Sequence, residues 1–250
     1  MNSETNNIRI ANWKVNLDVR VLCERVVETI LRDSQQAIVE HGKFSIVLTG
    51  GNTVLPIYQR LRDSGASWDK WRVYFSDERC VGSASTDRNS CMVNDMFLRH
   101  VAVPAAHVHA IPVELGPEAG AKAYSEAIRG VDIFDLVLLS LGEDGHVASL
   151  FPGRDWRDRS ESLDVVPVRD APKLPSERVS LSAARLGRCR RMVVVAAGQT
   201  KCQAVSAWKA GARLPVASIV PFGILDVFVS DDATGSVSDH VIKSTIATSN

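Results

Sequence analysis

The sequence predicts an α/β fold with a doubly wound, mainly parallel sheet flanked by helices, and three observations carry that expectation. Short, almost unbroken apolar runs (residues 44–48, 71–75, 136–139 and 192–196) suit strands buried on both faces. Segments with apolar residues at helical spacing separate them, which is the alternation that parallel crossovers require. The runs end in turns rich in Gly, Asp, Arg, His and Lys, and a parallel sheet brings those turns to one edge, where ligands bind in folds of this class.

In chain order, residues 1–7 are polar and read as loose, and residues 8–15 alternate well enough for a peripheral strand. Val19, Leu22, Val26, Val27, Ile30, Leu31 and Ile38 then mark a helix over 18–39, with Asp18 as its N-cap. The strand at 44–48 runs into the glycine turn Thr49-Gly50-Gly51-Asn52-Thr53 and a helix over 54–61. The strand at 71–75 ends in Ser76-Asp77-Glu78-Arg79, followed by a polar loop over 82–87 and a helix over 88–100. A short strand is expected at 107–111 and a helix at 117–129, whose Pro117 fits a first turn.

The apolar run at 136–139 is the central strand, and Ser140 to Gly145 is the tight turn at its end, directly before His146. The chain then turns polar and arginine-rich through Glu161 and proline-rich over 167–175, which reads as loop. Residues 179–181 make a short strand, so a small additional β subregion is allowed for. After the strand at 192–196, Gly198-Gln199-Thr200-Lys201 opens a helix to about Lys209, short strands follow at 219–220 and 225–229, and the tail from Ser230 is polar. One domain over residues 1–250 is expected, with 1–7 and 231–250 loose or peripheral.

Composition narrows the class of partner. Lys plus Arg and Asp plus Glu each total 29 in 250 residues, so no global field draws nucleic acid or an anionic membrane, and anion recognition must be local. Five scattered cysteines without a C-x-x-C pair argue against a disulfide framework or a zinc ribbon. The start MNSETNNIRI lacks a basic-then-apolar signal, and no apolar run approaches the roughly 18 residues of a membrane span, so a cytoplasmic protein is expected.

The strand-end turns hold the candidate chemistry. Gly50 and Gly51 permit close backbone approach, and the N–H groups of Asn52 and Thr53 at a helix start favour phosphate; the same glycines also suit an ordinary βα turn. Neither the dinucleotide fingerprint nor a P-loop is present. Arg79 offers a bidentate phosphate contact, or a solvated loop charge, and Lys201 a compact positive charge near a helix start. His146 titrates near working pH and can take a proton from water; Asp144 can orient its ring or cap a turn. Asp77, at a neighbouring strand end, is a second acid or base or a shaping residue. The other histidines are assigned no chemistry, and His107 with His109 makes a weak metal pattern without a third ligand, so no metal is expected.

Together Thr49 to Thr53, Ser76 to Val81, Gly142 to Pro152 and Gly198 to Lys201 resemble the 6-phosphogluconolactonase members of the glucosamine-6-phosphate isomerase/6-phosphogluconolactonase family, over about residues 18–229. The resemblance implies hydrolysis of 6-phospho-D-glucono-1,5-lactone to 6-phosphogluconate in the oxidative pentose phosphate pathway, with no required cofactor. It implies His146 as base and then acid, Asp144 as its orienter, and Gly50, Gly51, Asn52, Thr53, Arg79 and Lys201 around the phosphate. Residues 171–175 resemble a proline-rich stretch that precedes a substrate-contacting arginine, which here is Arg178. A monomer or homodimer acting on a small sugar-phosphate lactone is expected.

The chain departs from the family pattern at Asn52 and Val54 in the glycine turn, at Ser140, where glycine is more usual, at Glu143, where proline is frequent, and at Arg88-Asn89, where Ser-Asn is common. Two rival readings differ in class. A glucosamine-6-phosphate deaminase/isomerase would use Asp77 to move a C2 proton, but such enzymes tend to read I-A-F-N-E after Gly-His, where this chain reads V-A-S-L-F-P. A non-catalytic sugar-phosphate sensor of a transcription regulator would carry a helix-turn-helix, and no segment reads as one.

Overall fold

The computed structural model describes residues 11–154, Trp156 and residues 163–235. The expectations for residues 1–10, for most of the arginine-rich segment to Glu161, and for residues 236–250 lie outside the described residues.

Among the described residues, ten strands fall into two sheets. The larger has seven strands in the order β1 (Asn12–Asn16), β10 (Ile224–Ser230), β9 (Cys189–Ala196), β6 (Phe134–Ser140), β2 (Phe44–Leu48), β3 (Trp71–Phe75) and β5 (Val108–His109), and every pairing is parallel. The continuous apolar runs become its centre because both faces are covered: Leu136, Val137, Leu138 and Leu139 are wholly buried. From β2 the sheet grows outward through β3 and β5, and from β6 it grows the other way through β9 and β10. The strand order therefore reverses at the β2–β6 boundary, where the carboxyl ends open a crevice.

Helices cover the two faces as the spacing predicts. The first, α1 (Val19–His41), starts where the Asp18 carboxylate accepts from the Val21 N–H at 2.8 Å and stops at Gly42, whose φ of 80° is left-handed. The helix expected at 54–61 is a 3₁₀ turn, Asn52–Val54, continuing into α2 (Leu55–Arg62), and the Lys201 segment is built likewise from Gln199–Lys201 and its following helix Cys202–Lys209. The expected helix over 88–100 is shorter: α3 (Asn89–Met96) gives way to a separate 3₁₀ turn, Leu98–His100, because Phe97 leaves helical geometry at φ −139°. Next come α4 (Pro117–Ile128) and α5 (Ala183–Gly187), the latter not foreseen and capped by Ser182; Cys202–Lys209 is α6.

The smaller sheet corrects two loop expectations. It is antiparallel, in the order β4 (Asp77–Arg79), β8 (Arg178–Leu181) and β7 (Val165–Val168). Asp77-Glu78-Arg79 is thus a strand, and the proline-rich stretch begins inside one, with Pro167 facing Val179 in the ladder. Ser76 joins the two sheets: its N–H donates to Leu48 O of the large sheet, and its carbonyl accepts from Leu181 N–H of the small one, each at 2.8 Å. Residues 107–111 contribute only two strand residues, and 219–220 none, since a 3₁₀ turn, Pro215–Ser218, leads directly into a loop. No described helix is long and apolar enough to cross a membrane.

Candidate active site

A cleft of about 370 Å³ opens at the carboxyl ends of β2, β6 and β9. Of the ten residues singled out from sequence, nine line it: Gly50, Gly51, Asn52, Thr53, Asp77, Arg79, His146, Arg178 and Lys201. Asp144 is not part of the lining and is hydrogen-bonded to His146.

Asp144 Oδ1 is hydrogen-bonded to Nδ1 of His146 and also accepts from the His146 main-chain N–H at 3.2 Å. A carboxylate only accepts, so Nδ1 carries the proton and Nε2 keeps the basic lone pair. Two glycines make room for this pair. A Cβ on Gly142 would fall 2.0 Å from His146 Nδ1, and Gly145 turns the chain at φ 84° against Leu214. Burial pushes the His146 pKa down, more than the hydrogen bond and charge of Asp144 and the charge of Asp77 raise it, so the imidazole is held below its ordinary value. For Asp144 burial acts upward, yet the hydrogen bond and charge of His146 outweigh it and the carboxyl stays below its ordinary range.

The next turn brings a second carboxylate in. Ala148 takes the left-handed φ of 50°, and Leu150 N–H closes the turn onto Val147 O at 3.0 Å. Buried Ser149 is thereby aimed at Asp77, donating to Oδ2 at 2.7 Å, while Oδ1 of Asp77 accepts from Ser76 at 2.9 Å and Asn89 at 3.2 Å. Asp77 is thus a fixed carboxylate with both oxygens engaged. Its neighbour Glu78, part of a triplet that reads as solvated in sequence, is 1% exposed and structural: it accepts from the N–H groups of Arg79, Asn89 and Ser90 at 2.7–2.8 Å, tying β4 to the start of α3.

Three cations face these acids. Arg178 is buried, its guanidinium bonded to Pro175 O and Lys173 O at 2.9 and 2.8 Å and lying over Phe151 at 5.4 Å. Phe151 also touches the His146 ring, with centroids 4.8 Å apart, so one aromatic residue spaces imidazole and guanidinium. Arg79 donates Nη1 to Asp87 O, but its buried Nε has no acceptor among the described residues. Such an orphaned charged donor at a cleft wall suits an anionic ligand. Lys201 is 15% exposed and 3.9 Å from Glu143; burial lowers its pKa, with Lys173 adding to that and Glu143 opposing.

Gly51 (φ 107°, ψ 155°) and Gly198 (φ 95°, ψ 149°) start two turns of matching geometry on either side of β6. They are not equivalent as anion sites. Gly198 N–H is occupied by Ser230 Oγ at 3.1 Å and Asp232 Oδ1 at 3.3 Å, so this turn contributes the side chains of Thr200 and Lys201 to the cleft. Gly50 is glycine for a different reason from Gly51: a Cβ there would lie 1.9 Å from Asn89 Oδ1. Sequence reasoning assigned no role to Asn89, Ser140, Ser149 or Thr200, although Ser140, Ser149 and Thr200 lie within the turn and motif segments it singled out.

A family model described as glucosamine-6-phosphate isomerases/6-phosphogluconolactonase matches residues 18–224. The chain belongs to that family. Among curated relatives, the 6-phosphogluconolactonase of Synechocystis sp. is 32% identical over 200 residues, covering 76% of this chain and 82% of the relative. The chloroplastic 6-phosphogluconolactonase 3 of Arabidopsis thaliana is also 32% identical, over 185 residues; the match spans 67% of this chain and 57% of that longer relative. The crystal structure of 6-phosphogluconolactonase from Thermotoga maritima superposes with a TM-score of 0.82 at 26% identity, covering 88% of this chain and 100% of that one. The shared fold accounts for the strand order around the cleft.

Proposed function

We propose that this protein hydrolyses 6-phospho-D-glucono-1,5-lactone to 6-phospho-D-gluconate, with His146 as general base and then general acid. The observation that carries the reading is the His146–Asp144 pair lining the same cleft as the Gly50–Thr53 turn, Arg79, Arg178 and Lys201. An oriented imidazole beside a cationic, glycine-walled pocket suits a neutral reacting centre on an anionic molecule.

A lactone is a cyclic ester, so a water oxygen can bond to C1 as Nε2 of His146 takes its proton. The carbonyl π pair moves onto oxygen. Collapse of that tetrahedral intermediate breaks the bond from C1 to the ring oxygen, and the imidazolium returns its proton to the leaving alkoxide. Asp144 holds the ring and stabilises its charged form. Asp77 acts as a fixed negative charge that also favours the imidazolium, since its own oxygens are engaged by Ser76, Asn89 and Ser149. No serine or cysteine nucleophile is required. The Gly50–Thr53 turn, Arg79, Arg178 and Lys201 receive the phosphate, which fixes the lactone for attack.

The test is turnover of freshly made 6-phosphogluconolactone against glucosamine 6-phosphate by the wild-type protein. Opening of the lactone well above its spontaneous rate, with no ammonia from the amino sugar, is expected. Ammonia release without lactone opening contradicts the proposal.

A further inference from the structure

Asn89 is 2% exposed, opens α3 and lines the cleft. Its amide orientation is dictated by its partners. Two acceptors, Asp77 O at 3.0 Å and Asp77 Oδ1 at 3.2 Å, lie on one side, so the NH₂ group must face them. The carbonyl Oδ1 then faces Gly50, at the position that a Cβ on that glycine would fill. The main-chain N–H of Asn89 donates to Glu78 at 2.7 Å, which fixes the first turn of α3 and hence the root of the side chain.

We propose that Asn89 is a positioning residue for the reaction, one amide that holds the Asp77 carboxylate on one side and the Gly50 main chain on the other. The inference rests on the proposed lactonase reading, in which these two groups belong to the acid–base half and the phosphate half of the site. The side chain therefore sets the distance between His146 with its neighbouring carboxylates and the turn that anchors the substrate. Misplacing a bound group by an ångström costs on the order of 100-fold, so such a spacer acts on rate without touching the reacting atoms.

Asn89→Asp separates this role from simple packing, because it keeps the shape and removes the donor. Its oxygens would face the carbonyl and carboxylate of Asp77, and like charges at that distance force one carboxyl to take up a proton or turn away. The charged groups acting on His146 are Asp144, Lys173 and Asp77; with the new carboxylate turned away and still ionised, the negative charge near the ring grows and its pKa rises.

The experiment combines lactone kinetics with NMR of the full-length protein: titration of the His146 ring and the amide shifts of Gly50 to Thr53, in wild type, Asn89→Asp and Asn89→Ala. For Asn89→Asp, kcat/KM should drop roughly 100-fold with both kcat and KM affected, the His146 midpoint should rise, and the Gly50 and Gly51 amides should move. For Asn89→Ala, the amides should move and kcat fall, and adding Gly50→Ala should cost less than it does in the wild-type background, because the clash is gone. An unchanged His146 midpoint in Asn89→Asp together with unmoved turn amides overturns the inference, as does a rate loss that only tracks a lower folded fraction. Absence of lactone opening by the wild type would reject the functional reading instead, and the NMR comparison still decides the role of Asn89.

Discussion

Gly142 and His146 are locked together: the Gly142 N–H donates to His146 O at 2.7 Å, and the imidazole lies where a Gly142 side chain would be, 2.0 Å from Nδ1. The ring is held from below by missing atoms. Gly142→Ala should therefore displace the imidazole, and kcat should fall by about 100-fold or more while circular dichroism and thermal unfolding stay close to wild type. A variant of wild-type activity would show that the ring position is not critical.

The pH dependence follows from what surrounds that ring. Burial holds the His146 pKa below its ordinary value of 6.5, so the base is already neutral at pH 7 and activity should be lost on the acid side with a midpoint below 6.5. Asp144 raises that pKa and Lys173 lowers it. Asp144→Asn should therefore move the acid limb to lower pH, with kcat reduced about 10²- to 10⁴-fold as the ring loses its orienter. Lys173→Gln should move the limb slightly upward, an effect that fades with added salt because Lys173 is exposed. Rate profiles at two ionic strengths check both signs.

Glu143 is a competing anion on Lys201. The pair is 3.9 Å apart and Glu143 is 55% exposed, so its worth is at most about 1 kcal/mol, or roughly fivefold in affinity. Glu143→Gln should lower KM for the phosphorylated lactone by up to that factor and tighten competition by inorganic phosphate. An increase in KM would instead make Glu143 a substrate contact.

Loss of Lys201 or Arg79 should appear in KM. A hydrogen bond to a charged group contributes about 1.5–3 kcal/mol, so Lys201→Met or Arg79→Leu should raise KM roughly 10- to 100-fold. Turnover of unphosphorylated glucono-1,5-lactone should change far less. Equal losses on both lactones would detach these residues from the phosphate.

The seven-stranded sheet and the cleft were legible because long apolar runs and glycine turns are strong local signals, and a parallel sheet brings strand ends together without further information. Of the second sheet only the strand at 179–181 was legible, and its two partners were not. Asp77-Glu78-Arg79 is three charged residues, and its strand character comes from pairing with Arg178 to Ser180, a hundred residues away in sequence. Pro167 within Val165–Val168 likewise hides a strand. In the site, His146, Asp144 and the cations announce themselves by residue type. Asn89 and Ser149 do not, because their importance lies in where a carboxylate from another element meets them, and only the fold brings Asp77 there.

The most direct measurement is the decay of fresh 6-phosphogluconolactone at slightly acid pH, where spontaneous opening is slow, with wild type and with His146→Ala. The account predicts rapid decay with the wild type and a rate about 10²- to 10⁴-fold lower with the folded variant. Equal rates for the two proteins would contradict it, removing His146 as the base and turning attention to Asp77.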